Sequence, residues 1–313
     1  MNIAINTYYL GEKLGFKNYI SKVKDAGFNS IFLNIDEDLL DWGLLSKGVV
    51  PTDIILNNPP QVIYDYYKDQ LDFIKEQGLT ISQVHAPCSA MLITTDELIS
   101  FITNVYKNCI GFCKLAGIKN IVIHGFCKED FDKTHSHEDI KEINLKMFSA
   151  LIPELEGSDV TVCLENIFYC KNGVCYDGIC ADPYQAVEYI DTLNSLCKDK
   201  KHFGLCLDVG HLYLCRTEIN YYLRILGDRV VNTHIHDNQA ISDLHAIPYA
   251  GIINWKFILK ALKKHGYTGD LCFETSGYFQ KLPDYLIETY LDFNGKVANY
   301  FRDVLTDKIQ LKD

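Results

Sequence analysis

Eight times along the chain a short apolar run is followed by a longer amphipathic segment, and that alternation leaves few folds open. The runs fall at 3–8, 30–33, 80–85, 120–124, 160–165, 204–208, 230–234 and 271–274. They are rich in Val, Ile, Leu and Phe without strict alternation, which suits parallel strands buried on both faces. Amphipathic segments at 17–26, 62–77, 97–116, 139–155, 183–193, 219–226, 254–265 and 283–303 fill the gaps. Several stop at a glycine placed to close a helix: Gly27 in DAGF, Gly78 in EQGL, Gly117 in LAGI, Gly227, and Gly266 in KHGY. Eight strand–helix units in one chain predict an α/β fold, a single-domain (β/α)8 TIM barrel. A doubly wound open sheet is the alternative. No GxGxxG follows the first run, so nothing supports a dinucleotide site.

No Pro-, Gly- or Ser-rich linker and no low-complexity tract divides the 313 residues, so one domain over 1–313 is the simplest partition. The length beyond a minimal barrel lies in two loop-like stretches, 36–60 and 166–183. Both follow strands, and in a barrel both belong to the face that carries active sites. The formal charge is −11, from 30 basic and 41 acidic side chains. That balance disfavours nonspecific polyanion binding. No apolar run approaches the ~18 residues of a membrane span, and the N-terminus has no basic region ahead of an apolar one. Twelve cysteines are too few for a disulfide scaffold, and several fall inside the apolar runs. The expectation is free buried thiols in a reducing cytoplasm. Cys170, Cys175 and Cys180 are evenly spaced in the second loop but form no CxxC pair, so they are expected to be incidental thiols or part of a substrate lid.

The chemistry gathers at the strand ends. Strand 3 ends at His85 (VHAP), strand 4 at His124 (IVIHG), strand 5 at Glu165 (VCLEN) and strand 6 at Asp208, followed by His211 (LCLDVGH). Strand 7 ends at His234 (VVNTHIHD), strand 8 at Glu274 (LCFET), and the loop after strand 7 adds Asp243 and His245 (SDLH). A lone His in such a place is usually a hydrogen-bonded core residue, and a lone Asp usually a helix cap; Asp208 could cap through Gly210. Six consecutive strands ending this way do not fit independent accidents. Parallel strands in a barrel point their C-termini at one mouth, and burying these groups is costly unless they are paired or metal-bound. Nitrogen and oxygen donors converging on one point describe a divalent metal site. His236 can share the face of His234 and touch the substrate, although Asp237 and Asn238 suggest a turn. Trp42, in the long loop after strand 2, could wall a substrate; packing on the surface is the ordinary role of such a residue. His135, His137, His202 and His265 read as solvated.

With these residues in place, the sequence resembles the xylose isomerase-like TIM barrels, a superfamily of sugar isomerases and epimerases related to the apurinic endonuclease IV family. LEN, DVGH, HIHDN, DLHAIPYAGIINW and FET occur in the family's order across nearly the whole chain. In the isomerase and epimerase members, the resemblance implies one divalent metal held by the residues matching Glu165, Asp208, His234 and Glu274. Glu165 and Glu274 would then move protons, and His211 would bond a substrate oxygen. The implied substrate is a sugar, sugar phosphate, keto-sugar or cyclitol, isomerised or epimerised through a metal-stabilised enediolate. Three carboxylates and one His suit Mn, Mg or Co as well as Zn. A lyase or dehydratase acting on a keto-sugar is a close variant.

The endonuclease members hold three zinc ions with nine side chains. All nine have counterparts here: His85, His124, Glu165, Asp208, His211, His234, Asp243, His245 and Glu274. An endonuclease IV-like phosphodiesterase acting on abasic DNA is therefore the alternative. Against it stand the charge of −11 and the aromatic sequence ENIFYCKNGVCYDGICADP after strand 5. So does the G-x-I-x-W ending of the DLHAIPYAGIINW segment, and Arg216, Arg224 and Arg229 are thin provision for a phosphate groove. A non-catalytic sugar-binding barrel would have no need to keep both glutamates. The expected partner is a small sugar-type molecule, without nucleic acid or membrane. A homo-oligomer is compatible with the fold.

Overall fold

The computed structural model describes all residues except 8–13, 36, 46, 89–94, 128–136, 172, 276, 278, 280, 281, 312 and 313, and the side chains of 37, 38, 42, 137 and 171. Eight parallel strands close into a barrel: β1 (Ile3–Asn6), β2 (Ser30–Asn34), β3 (Thr80–His85), β4 (Asn120–Ile123), β5 (Thr161–Glu165), β8 (Phe203–Asp208), β9 (Val230–Ile235) and β10 (Leu271–Phe273). Closure comes from β1 pairing with β10, Ile3 opposite Leu271 and Ile5 opposite Phe273. Strands β6 (Phe168–Lys171) and β7 (Val174–Asp177) form a separate antiparallel pair.

Among the described residues, the α-helices longer than four residues are α1 (Phe16–Asp25), α2 (Pro60–Glu76), α3 (Asp96–Ala116), α4 (His137–Ser149), α5 (Pro183–Leu196), α6 (Val209–Leu214), α7 (Ile219–Leu226), α8 (Trp255–Lys264) and α9 (Asp284–Leu305). Their starts follow local chemistry. Thr95 caps α3 by accepting from the Leu98 N–H, Asp182 caps α5 through Gln185, and Glu218 caps α7 through Asn220 and Tyr221. The predicted single segment 139–155 is divided, because Pro153 starts a new turn, Ile152–Leu155, after α4 has ended.

The main core lies between barrel and helices, with Ile3, Ile5, Ile31 and Leu33 packed against helix residues such as Tyr19, Ile63 and Phe301. The alternate strand residues face the barrel interior. There they form two small clusters, Ala4–Phe32–Cys272 and Val122–Cys163–Cys206.

Three sequence-based expectations are corrected. The stretch 166–183 is not a plain loop: it contains the β6–β7 hairpin, in which Cys170 lies opposite Cys175. Those two cysteines form a disulfide rather than standing as free thiols, since the hairpin register brings their Cα atoms within 4.1 Å. The other ten are thiols outside any disulfide, Cys180 among them. His202 is buried, not solvated; its ring bonds Val160 O and Asp199 at 2.9 Å each. His265 is half-buried, and the remaining two, His135 and the side chain of His137, lie outside the described residues.

Candidate metal centre at the barrel mouth

The barrel register delivers the strand-end residues to one place. Asp208 on β8 is the direct partner of His234 on β9, and His234 lies opposite Cys272, two residues before Glu274. Glu165 pairs with Cys206, two residues before Asp208. Ligand-type atoms of Glu165, Asp208, His234 and Glu274 all lie within 4.8 Å of one another, which is the four-residue set expected from the sequence. His234 Nδ1 sits 3.3 Å from Glu165 Oε2, 3.3 Å from Glu274 Oε2 and 3.7 Å from Asp208 Oδ2. It is buried and makes no hydrogen bond.

Glu165 also joins a second group. His85 and His124 meet through their Nε2 atoms at 3.1 Å, with Glu165 Oε2 at 3.5 and 2.9 Å respectively. The His85 Nδ1–H donates to Ala86 O at 2.6 Å, so its Nε2 offers a lone pair to this space. Across the mouth, Asp243 Oδ2 lies 2.6 Å from His245 Nε2 and 3.4 Å from His211 Nε2. All nine expected residues thus converge on the same mouth.

Sequence reading undervalued His236. It follows β9 directly, is fully buried, and places Nε2 3.0 Å from both carboxylate oxygens of Asp208. Its ring stacks on His245 with centroids 4.5 Å apart. The approach needs Gly210, because a Cβ there would enter the His236 ring. Asp208 does cap α6, accepting from the His211 N–H at 2.6 Å, so the cap and the site share one carboxylate. The side chain of Trp42 lies outside the described residues.

Four further residues hold the site and carried no strand-end signal. Asn166 clamps β5 to β8 by donating to Asp208 O at 2.9 Å and accepting from the Asp208 N–H at 2.8 Å. Cys88 Sγ lies 3.1 Å from His124 Nδ1. Phe32 stacks on His234 at 4.8 Å, and Gln83 meets His234 Nε2 at 2.7 Å. The hairpin leans over the edge of the site, with the Phe168 ring 4.9 Å from that of His211.

Electrostatics follow from this crowding. Burial works against charge on Glu165, but His234 and His124 outweigh it and hold the carboxyl well below its usual range. Burial likewise opposes charge on Asp243, yet His245 and His236 keep that carboxyl well below the ordinary value. Burial lowers and Asp243 more than restores the His245 imidazolium, raising its pKa to about 10. In the protein without metal, imidazole N–H groups thus face its carboxylates. The same clusters can chelate a divalent cation in place of those protons.

A family model described as xylose isomerase-like TIM barrel matches residues 20–288. The chain belongs to the xylose isomerase-like TIM barrel family. Among curated proteins, the uncharacterized protein y4fM of Sinorhizobium fredii is 37% identical over 185 residues, 56% of this chain and 56% of that protein. The chain thus aligns with little more than half the length of that relative. Among solved structures, a D-tagatose 3-epimerase-like protein superposes with a TM-score of 0.71 at 15% identity, covering 99% of this chain and 100% of the other. The IOLI protein with a binding zinc atom does so at 0.67 and 17%, with the same coverage. Among the described residues, no helix is long and apolar enough to cross a membrane.

Proposed function

We propose that this family member is a divalent-metal-dependent epimerase or isomerase of a keto-sugar or related polyol. The observation that carries the reading is the orphaned, buried Nδ1 of His234 facing three carboxylates. Buried carboxylates crowded around one nitrogen repel one another, and a cation among them removes that cost for every member at once. The donor set, three carboxylates and one imidazole, fits a divalent ion between hard and borderline, such as Mn, Co, Mg or Zn. The likeness to a 3-epimerase-like structure and to a zinc-bound one supports the same reading.

When bound, the ion would polarise the carbonyl and neighbouring hydroxyl oxygens of the substrate. Glu165 and Glu274 flank this point. One carboxylate takes the proton from the carbon beside the carbonyl, and the other returns a proton to the same carbon from the opposite face, or to its neighbour. Glu165 is held as a carboxylate by His124 and His234, which suits it to accept. His211, fixed by Asn166 O at 3.0 Å, presents Nε2 toward a substrate oxygen.

The test is solvent-hydrogen exchange on a ketose panel in D2O with metal-reconstituted protein. Deuterium should enter beside the carbonyl, and Glu274→Gln should abolish exchange while the circular dichroism spectrum persists. Full turnover in that variant refutes the role. A second reading, a three-metal phosphodiesterase, is favoured by one observation: His85 and His124 gather on Glu165 outside the four-residue set. Metal content per chain separates the two, about one ion for the epimerase and about three for the phosphodiesterase.

A further inference from the structure

Gln83 is a buried polar residue of a barrel strand that the proposed chemistry leaves unused. It is fully buried on β3, it touches no substrate position, and its amide meets His234 Nε2 at 2.7 Å. Two unpartnered atoms flank that contact, Gln83 Oε1 on one side and His234 Nδ1 on the other. A neutral imidazole carries one N–H and one lone pair. If Nδ1 gives its lone pair to a cation, Nε2 must carry the proton and needs an acceptor.

With the amide nitrogen against His234, the geometry matches the other tautomer: the amide N–H donates to Nε2, and the Nδ1 proton faces Glu165 and Glu274. A half-turn of the amide exchanges its nitrogen and oxygen with almost no change of shape. In either orientation one amide end has no partner, so the turn itself loses no hydrogen bond. The orientation then follows the ring proton. The ring cannot respond by turning, because Phe32 stacks on it at 4.8 Å with planes 18° apart. A carboxylate at position 83 would accept only, and an aliphatic side chain would do neither.

We propose that Gln83 is a positioning residue that sets the tautomer of His234. In the metal-bound protein its Oε1 accepts the Nε2 proton, and Nδ1 is thereby presented as a lone pair to the carboxylate cluster. Gln83 matches the ring in both states, metal-free and metal-bound. This rests on the metal reading above.

The experiment is Zn2+ binding by competition with a chromophoric chelator, on metal-stripped wild type, Gln83→Leu, Gln83→Glu and His234→Ala. Gln83→Leu is expected to weaken Zn2+ binding roughly 10- to 100-fold, the usual loss for an outer-shell partner of a ligating His. Gln83→Glu, which keeps an acceptor against Nε2, is expected to bind within a few-fold of wild type. In ¹⁵N-labelled wild type, two-bond nitrogen–proton spectra should show the His234 proton moving from Nδ1 to Nε2 on Zn2+ addition. Equal affinity of Gln83→Leu and wild type, or an unchanged tautomer on loading, overturns the proposal. Should Gln83→Leu not fold, Gln83→Glu and the wild-type spectra still decide: an affinity loss in Gln83→Glu as large as in His234→Ala overturns it. Wild type failing to bind Zn2+, or His234→Ala binding as well as wild type, would instead defeat the metal reading itself.

Discussion

Asp237 carries a buried carboxyl group that four N–H groups hold in place. Oδ1 accepts from Asn238 and Ile253, and Oδ2 accepts from Tyr249 and from the Trp255 indole at 2.7 Å. These bonds fold the segment that carries Asp243 and His245 back onto the barrel. Removing the acceptor leaves buried donors unsatisfied, so Asp237→Ala should lower stability by about 2–4 kcal/mol in urea denaturation. Asp237→Asn, with one acceptor oxygen left, should fall between; a loss below half a kcal/mol in the Ala variant would contradict the account. Asp199 provides a pH test far from the metal cluster. The Gly157 N–H leads its stabilisation, working against slight burial and joined by the Lys200 N–H and His202, and brings its pKa down to about 2. A carboxyl depressed on folding contributes stability that is present above its unfolded value of ~4 and lost as the pH falls through the folded one. The urea midpoint of Asp199→Asn should therefore change less between pH 4 and 2 than that of wild type. An equally steep fall in the variant would remove Asp199 as the cause. The candidate ligands at the strand ends were legible because each is a titratable group closing an apolar run. Gln83, Phe32 and Asp237 were not, because their value depends on which ring or loop lies opposite, and only barrel closure fixes that.

At the scale of elements, the β6–β7 hairpin is where a role in substrate handling can be tested apart from stability. Its residues are half-buried or exposed where described, while Phe168 reaches the His211 ring. Replacing residues 169–176 by a short Gly linker should cost little thermal stability, a few degrees at most, because little apolar surface leaves the core. It should lower kcat/KM for the sugar substrate at least tenfold if the hairpin covers the bound molecule; an unchanged kcat/KM would reject that role. The hairpin had a local signal that composition obscured. Asn172-Gly173 sits between two four-residue runs, and Gly173 has φ 77°, the left-handed geometry that tight hairpin turns require. Helix α6 escaped notice for a different reason. It begins at Val209 immediately after β8, so Asp208 is at once the last strand residue, the helix cap and a site carboxylate. No boundary residue separates the two elements.

At the scale of the molecule, eight local β–α units were enough to imply the barrel, since each unit is written in adjacent sequence and right-handed crossovers leave little choice of closure. The convergence of four carboxylates, Glu165, Asp208, Asp243 and Glu274, on one mouth is a property of the closed barrel and bears on global stability. In a chain of net charge −11, these carboxylates lie against imidazole rings, and a divalent ion replaces several such contacts at once. Binding to the folded state alone adds RT ln(1 + [L]/Kd), about 2.7 kcal/mol at a hundredfold excess over Kd. For a protein of this size that corresponds to a rise in Tm on the order of 5 °C. Scanning calorimetry of chelator-stripped protein, with and without Zn2+ or Mn2+ at that excess, should show the rise. His234→Ala should lose most of it, because the removed Nδ1 is buried, makes no hydrogen bond and lies within 3.3 to 3.7 Å of three of these carboxylates. A wild-type Tm indifferent to both ions would mean that the surrounding imidazoles, not a metal, are what the clustered carboxylates are built to hold.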